Sequence, residues 1–516
     1  MNQRLSSILK FAKTKFIEGF KDMKDNQDWA KQVKGLILPN SAFINGQYVN
    51  TENTYPIINP ATSQHLTNMS ACNEIDINHA VKIAKQVFEA GTWSKKSPAE
   101  RKAVLKKLAQ LISDNASSLA LLETLNVGKP ISDSLNVDVK GSAYCFEWYA
   151  EAIDKIYDEI APTSQDQLAM VIREPIGVVA AVVPWNFPLD LASWKVAPAL
   201  ATGNSVILKP AEQSPFTALK LAELAKEAGL PDGVLQVVPG LGHITGKALG
   251  LHNDVDCLVF TGSTETAKKF LTYSADSNLK PVWPETGGKS ANIILEDADL
   301  DKAVEKAVFG AFYNQGEVCS ANSRILLQKN IYQEFMQKFI QKTKEIKLGN
   351  PLDPSTTMGC LIDNKHAETV REAIQNAVNN GATCITPIEL NLSNDLNKDT
   401  FVPPTILTHV DESHQIFHTE VFGPVVSISI FETDEEAIQL ANNSIYGLAA
   451  SLWTSNIQKA ILLSKKLRVG TVSINTVDAL DVSTPFGGYK QSGYGRDLSL
   501  HAIDKFTQLK TTWIKL

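Results

Sequence analysis

The sequence is poor in the features that mark a specialised environment. Its 516 residues include only six cysteines, at no regular metal-ligand or redox spacing, which argues for a reducing compartment and against a disulfide framework or a zinc module. No uncharged apolar run approaches the roughly 18 residues a membrane-crossing helix needs. The longest candidate, around Ile176 to Leu189, is broken by prolines. Neither sign of charge dominates: 49 basic against 56 acidic residues leave a formal charge of −7, so no electrostatic footprint points to nucleic acid or an anionic membrane. Internal repeats and low-complexity linkers are missing too. These absences leave the expectation of a soluble, cytoplasmic globular chain, which 44% apolar and 20% charged residues fit. The length is too great for one core and implies two or three domains.

At the N-terminus Leu5, Ile8, Leu9, Ala12, Phe16, Phe20 and Met23 recur at helical spacing with lysines opposite. A targeting peptide is one reading; the lack of an apolar core segment and the acids Asp25 and Asp28 favour a surface helix packed on the body. From Phe43, FINGQYV and TYPIINP suggest an edge hairpin, followed by helices over about Asp76 to Glu89 and Pro98 to Ser113 and a helical region holding Asp138. Between Ile176 and Leu295 the apolar runs IGVVAAVV, SVILKP, VLQVVPG, CLVFTGS and ANIIL alternate with helical stretches. That alternation predicts an α/β domain with a doubly wound parallel sheet, whose ligands bind beyond the carboxyl ends of its strands. A second α/β unit follows, with helices near Asp299 to Phe312, Ile331 to Ile346 and Ala367 to Asn380, and the final run from Lys505 to Trp513 reads as a strand.

Two stretches carry chemistry. Cys319 sits in Asn314-Gln315-Gly316-Glu317-Val318-Cys319-Ser320-Ala321, among glycine and small polar residues, whereas Cys145, Cys257 and Cys360 lie in apolar runs and read as core. A free cysteine is more often a buried thiol, but only Cys319 has room for a substrate and for backbone N–H groups to face it. Upstream stands Trp283-Pro284-Glu285-Thr286-Gly287-Gly288-Lys289-Ser290, an acid followed by two glycines and a lysine. Together the two stretches resemble the paired active-site signatures of the aldehyde dehydrogenase superfamily, a likeness running from about Phe43 to the C-terminus.

That resemblance implies a set of roles. Cys319 would be the nucleophile, Glu285 the general base for thioester hydrolysis, and Asn186, in Pro184-Trp185-Asn186-Phe187-Pro188, the oxyanion donor with the Cys319 N–H. Cofactor positions would be Trp185 after the first strand, Lys209 and Glu212 after the second at the adenosine ribose, Gly262 and Ser263 before a helix N-terminus, Glu420 at the nicotinamide ribose and Phe486 bordering the nicotinamide. An acid at Glu212 suits NAD, with NADP possible. No metal is implied. Two residues depart from the pattern: Ala267 replaces a usual glycine, and Pro284 replaces the aliphatic residue before the glutamate. The implied layout is an N-terminal helical extension (residues 1–35), a cofactor-binding domain (36–152 and 176–287), an oligomerisation element (153–175 and 503–516) building a homodimer or homotetramer, and a catalytic domain (288–502).

The likeness is nearest to the bacterial branch acting on γ-glutamylaminobutyraldehyde and related amino- or guanidino-aldehydes of polyamine breakdown, with general aliphatic or aromatic aldehydes as the alternative. Asp138, Asp478 and Asp481 are candidates to line a tunnel mouth and receive a cationic tail. A relative passing its acyl group to coenzyme A or phosphate would generally lack the glutamate motif, and a non-catalytic relative would be free to lose Cys319.

Overall fold

The computed structural model describes residues 28–516, so the helix expected over Leu5 to Met23 lies outside the described residues. The chain enters through two separate antiparallel hairpins, β1 (Ala42–Ile44) with β2 (Gln47–Val49), and β3 (Thr54–Ile58) with β4 (His65–Ser70). FINGQYV is thus a complete hairpin, and TYPIINP pairs with a later segment instead of with it. The reason is local: Asn45 and Gly46 both have positive φ and close a tight two-residue turn. β5 (Glu159–Ala161) and β6 (Gln167–Pro175) then start a small sheet that the chain completes only at its other end.

Five parallel strands follow: β7 (Val178–Val182), β8 (Ser205–Lys209), β9 (Leu235–Val237), β10 (Cys257–Gly262) and β11 (Val282–Thr286). With the first hairpin they form a seven-stranded sheet in the order β11-β10-β7-β8-β9-β1-β2. β7 and β8 are buried at every position, as expected of strands covered on both faces by helices. One face packs on Leu105, Leu108, Phe146, Leu189, Val196 and Leu219, the other on Ile77, Val81, Ala84 and Phe270. The winding direction reverses between β7 and β10, so the crevice beyond their carboxyl ends is the switch point where a ligand site is expected.

The second sheet contains β12 (Ala291–Ile294), β13 (Arg324–Gln328), β14 (Thr383–Ile385), β15 (Thr405–Thr408), β16 (Val425–Phe431), β17 (Ala449–Trp453) and β18 (Thr471–Ile474), ordered β14-β15-β16-β13-β12-β17-β18. ANIIL, read above with the first domain, is β12 near the middle of this second sheet. Its place in the first sheet is taken by VWPET, which forms β11. Pro284 had hidden that strand. It is tolerated because β11 is an edge strand with no partner strand on its outer side. The last strand, β19 (Thr507–Lys515), pairs antiparallel with β6 along its whole length and finishes the three-stranded sheet β19-β6-β5.

Candidate active site

Cys319 owes its position to a strained turn. The helix Leu300–Phe312 starts on an Asp299 cap, whose side chain accepts the Lys302 N–H, and stops where Tyr313 turns extended. Asn314, Gln315 and Gly316 then take left-handed φ values of 46°, 57° and 71°. Two of these are not glycine, a costly arrangement that persists only where the surroundings hold it. Here they do. Asn314 Nδ2 donates to the Asn186 and Glu317 carbonyls at 3.2 and 3.3 Å, and Gln315 Oε1 accepts the Gly359 N–H at 2.9 Å. At Gly316 a Cβ would lie 2.2 Å from the Gly423 carbonyl oxygen, so only glycine fits. The turn delivers Cys319 partly exposed, with the Ser320 N–H toward its sulfur.

Glu285 reaches the same place from the other sheet. It lies near the end of β11, opposite Thr261 of β10 on one side and bridged to Gly493 on the other, while the Pro284 carbonyl accepts the Tyr494 N–H at 3.2 Å. The edge strand is therefore fixed on both sides, and Pro284 does not loosen the aim of Glu285. The glycine pair behind it is explained by close approach. A Cβ on Gly287 would meet Glu420 Oε2 at 1.8 Å, and one on Gly288 would meet the Cys319 carbonyl at 2.6 Å. The Gly288 N–H donates to Glu420 Oε1 at 3.0 Å. The glutamate and cysteine stretches thus interlock, with Glu420 as the third piece.

A cavity of about 240 Å³ opens between them, lined by Cys319, Glu285, Asn186, Trp185, Gly262, Ser263, Glu420 and Phe486 together with Trp194, Thr261, Phe422 and Asp497, among others. Asn186 is buried, and its Nδ2 spends one hydrogen on the Glu317 carbonyl at 2.8 Å; the amide carries a second N–H. Among the described residues neither carboxylate oxygen of Glu285 has a hydrogen-bond partner. Burial pushes its carboxyl well above the ordinary range, Asp497 adds to this, and Lys195, Lys505 and Arg496 oppose it. Burial also raises the Cys319 thiol, reinforced by the acids Asp478, Glu420 and Glu285. Glu420 itself is lifted by burial to about 7. This pocket holds a sulfur, an amide donor and a buried carboxyl group, the components for attack on a carbonyl and later release by water.

Lys209 and Glu212 lie outside this cavity lining. Lys209 ends β8 and is buried, its Nζ donating to the Pro210 carbonyl at 2.9 Å; Glu212 accepts the Gly242 N–H and faces a separate groove of about 410 Å³. Ser263 caps the helix Thr264–Ala275, and Ala267 is buried against Phe260 and Phe270, so the missing glycine costs only a methyl in a core contact. Of the three candidate substrate aspartates, one departs from expectation. Asp138 is not at a tunnel mouth: it is fully buried and paired with Lys129 at 2.7 Å, over whose ammonium the Phe187 ring lies at 4.0 Å. Its charge is spent inside the fold. Asp478 is held at φ 46° with Oδ1 accepting from Ser320 Oγ at 2.6 Å, so it serves the nucleophile loop. Asp481 stays half-buried and accepts from Ser483 within its own turn.

Sequence reasoning missed Lys195, a lysine inside the apolar helix Pro188–Ala201. Its signal was available, because a cation in an otherwise apolar helix needs a buried partner. That partner is Asp497, which also binds Lys505.

The sequence profile of the Aldehyde dehydrogenase family matches residues 48–512. The chain is 50% identical over 491 residues, 95% of its own length and 98% of the relative's, to the NADP/NAD-dependent aldehyde dehydrogenase PuuC of Escherichia coli K12. It superimposes with a TM-score of 0.93 at 50% identity on the aldehyde dehydrogenase KauB from Pseudomonas aeruginosa, covering 95% of this chain and 99% of that one. The γ-glutamyl-γ-aminobutyraldehyde dehydrogenase from Burkholderia cenocepacia J2315 gives a TM-score of 0.92 at 46% identity, covering 95% and 99%. A cysteine, a glutamate and an amide meeting between two α/β units, with the family profile spanning nearly the whole chain, lead to one statement: this protein belongs to the aldehyde dehydrogenase family.

Proposed function

We propose that this protein oxidises amino-, guanidino- or γ-glutamylamino-butyraldehydes to the corresponding acids with NAD, or with NADP as a poorer acceptor. The observation that carries the reading is the convergence of Cys319, Asn186 and Glu285 on one cavity. The substrate class follows the relatives, among them a γ-glutamyl-γ-aminobutyraldehyde dehydrogenase and an enzyme named PuuC.

The residues present fit a dinucleotide. The crevice between β7 and β10 opens at the switch point, with exposed Ser263 at the N-terminus of a twelve-residue helix for the pyrophosphate. Lys209 and Glu212 stand at the end of β8 for the adenosine ribose, and Glu212 would repel a 2′-phosphate. Trp185, Glu420 and Phe486 border the reacting end. When bound, the nicotinamide supplies a hydride acceptor. Cys319 forms the carbon–sulfur bond to the aldehyde, and the second Asn186 N–H and the Cys319 N–H receive the oxyanion. After oxidation to the thioester, Glu285 takes a proton from water as that water attacks, and the acid leaves as the thiol is regenerated. The exposed sheet β19-β6-β5 supports assembly as a homodimer or homotetramer, and the layout of cofactor, catalytic and oligomerisation segments given above is retained as our division of the chain.

The test is pre-steady-state NADH formation with 4-aminobutyraldehyde. Cys319→Ala should abolish it. Glu285→Gln should give one burst per site and then near arrest, because the thioester forms without an activated water. Steady turnover in that variant near the parent rate would remove Glu285 from its role.

A further inference from the structure

Behind Glu285 lies a buried charge cluster that the proposed reaction does not use. Asp497 sits in the loop after β18 and is 1% exposed. Its two carboxylate oxygens are divided: Oδ2 pairs with Lys195 from the helix Pro188–Ala201, and Oδ1 with Lys505 from the turn Leu500–Lys505 just before β19. Both lysine side chains are as buried as the aspartate. On the cavity side stands Glu285 with neither oxygen bonded. Two ammonium groups therefore stand against two carboxylates at the buried edge of the cavity that Glu285 and Asp497 line, and these four groups sum to zero only with Glu285 ionised. Without Lys505 one ammonium would face two carboxylates. The cheapest way to remove the excess negative charge would then be to protonate the group with no hydrogen bonds, which is Glu285.

We infer that Lys505 is a positioning residue for the base: paired to the far oxygen of Asp497, it supplies the second buried cation that allows the Glu285 carboxylate to stand ionised beside Cys319. The inference rests on the reading of Glu285 as the base and adds to it the group that sets its charge. The other ionisable neighbours do not substitute. Arg496 also favours the Glu285 carboxylate, but less than either lysine: it is half-exposed and donates to the Gly488 and Gly495 carbonyls. Cys145 and Tyr149, facing Asp497, and Cys257, facing Lys505, are held neutral by burial. Asp497 itself is pushed up by burial but drawn below the usual carboxylate range by its two lysines, while Lys195 is lowered by burial. Lys505 is anchored where it stands, since the Cys257 thiol donates to its carbonyl at 3.5 Å and the next residue, Phe506, accepts from Ile176 N and Asn204 Nδ2.

The experiment follows the decay of the acyl-enzyme by rapid quench, across pH, in the full-length protein with NAD and 4-aminobutyraldehyde. The NADH burst counts folded, acylating sites in each variant. Lys505→Gln should keep the burst but lose about tenfold in decay rate at pH 7, its pH–rate profile moving up by about one unit. Lys505→Arg should keep the parent profile. The double variant K505Q/D497N restores parity, one cation against one carboxylate, and should move the profile back. An unshifted profile in K505Q, an equal shift in K505R, or a double variant as impaired as K505Q would each overturn the inference. Glu285→Gln runs alongside. If it turns over like the parent, the base reading fails; if it arrests after its burst while K505Q is unshifted, only the role of Lys505 falls.

Discussion

Cys319 stands against acids as well as small residues. The thiolate is the attacking form, and both burial and the surrounding acids hold the thiol up, Asp478 first among those acids. Removing a neighbouring negative charge favours the thiolate and so lowers the thiol's pKa. Asp478→Asn keeps an oxygen to accept from Ser320 Oγ, so the loop can stay tied while the charge is lost. At pH 7 the thiolate fraction should rise, and iodoacetamide should alkylate Cys319 roughly threefold faster or more. An unchanged rate would show that Asp478 holds the loop by shape alone. The single acid Asp138 teaches the converse. Its carboxylate cannot recruit a substrate amine, because Lys129 already neutralises it in the interior, and an aspartate eight residues after a GKP turn carries no mark in the sequence that distinguishes the two fates.

Among elements, the turn from Asn314 to Gly316 is the one on which the site depends. Its three left-handed residues reverse the chain between the helix Leu300–Phe312 and β13, and the Gly316 Cα lies against the Gly423 backbone. Gly316→Ala should cost about 2 kcal/mol or more, from the left-handed conformation and the clash with a carbonyl that has no rotamer to escape into. Thermal unfolding should register the loss, and NADH burst amplitude should fall with it; a variant with parent stability and full burst would mean the turn relaxes freely. Much at this scale was legible in the sequence. The helix expected from Asp299 to Phe312 is observed from Leu300 to Phe312 with Asp299 as its cap, because capping and apolar periodicity are local properties. Two elements misled for physical reasons. ANIIL looks like any buried strand, and no local property says which sheet it joins. Pro284 reads as a strand breaker until β11 is known to be an edge.

At the scale of the whole molecule, the sheet β19-β6-β5 and the segment before β5 expose a group of large apolar side chains among the described residues. Tyr157, Ile160, Leu509 and Trp513 are 80%, 67%, 62% and 63% exposed, an apolar set of the kind that marks an interaction surface. Leu509→Glu with Trp513→Glu should shift sedimentation toward a smaller species, and an unchanged sedimentation coefficient would place the interface elsewhere. Lys505 precedes that strand by one residue of linker, so under the two proposals above one C-terminal segment would serve both the base and the assembly surface. The sequence by itself determined the paired cysteine and glutamate stretches, the alternation of strands and helices, and the helix caps, because each is written in residues that are neighbours along the chain. Only the tertiary structure decided that Glu420 locks behind the glycine pair, that Lys195 and Lys505 share Asp497, and that Asp138 is neutralised inside the fold. Those are contacts between distant segments, and whether a buried charge is satisfied depends on what the fold brings against it.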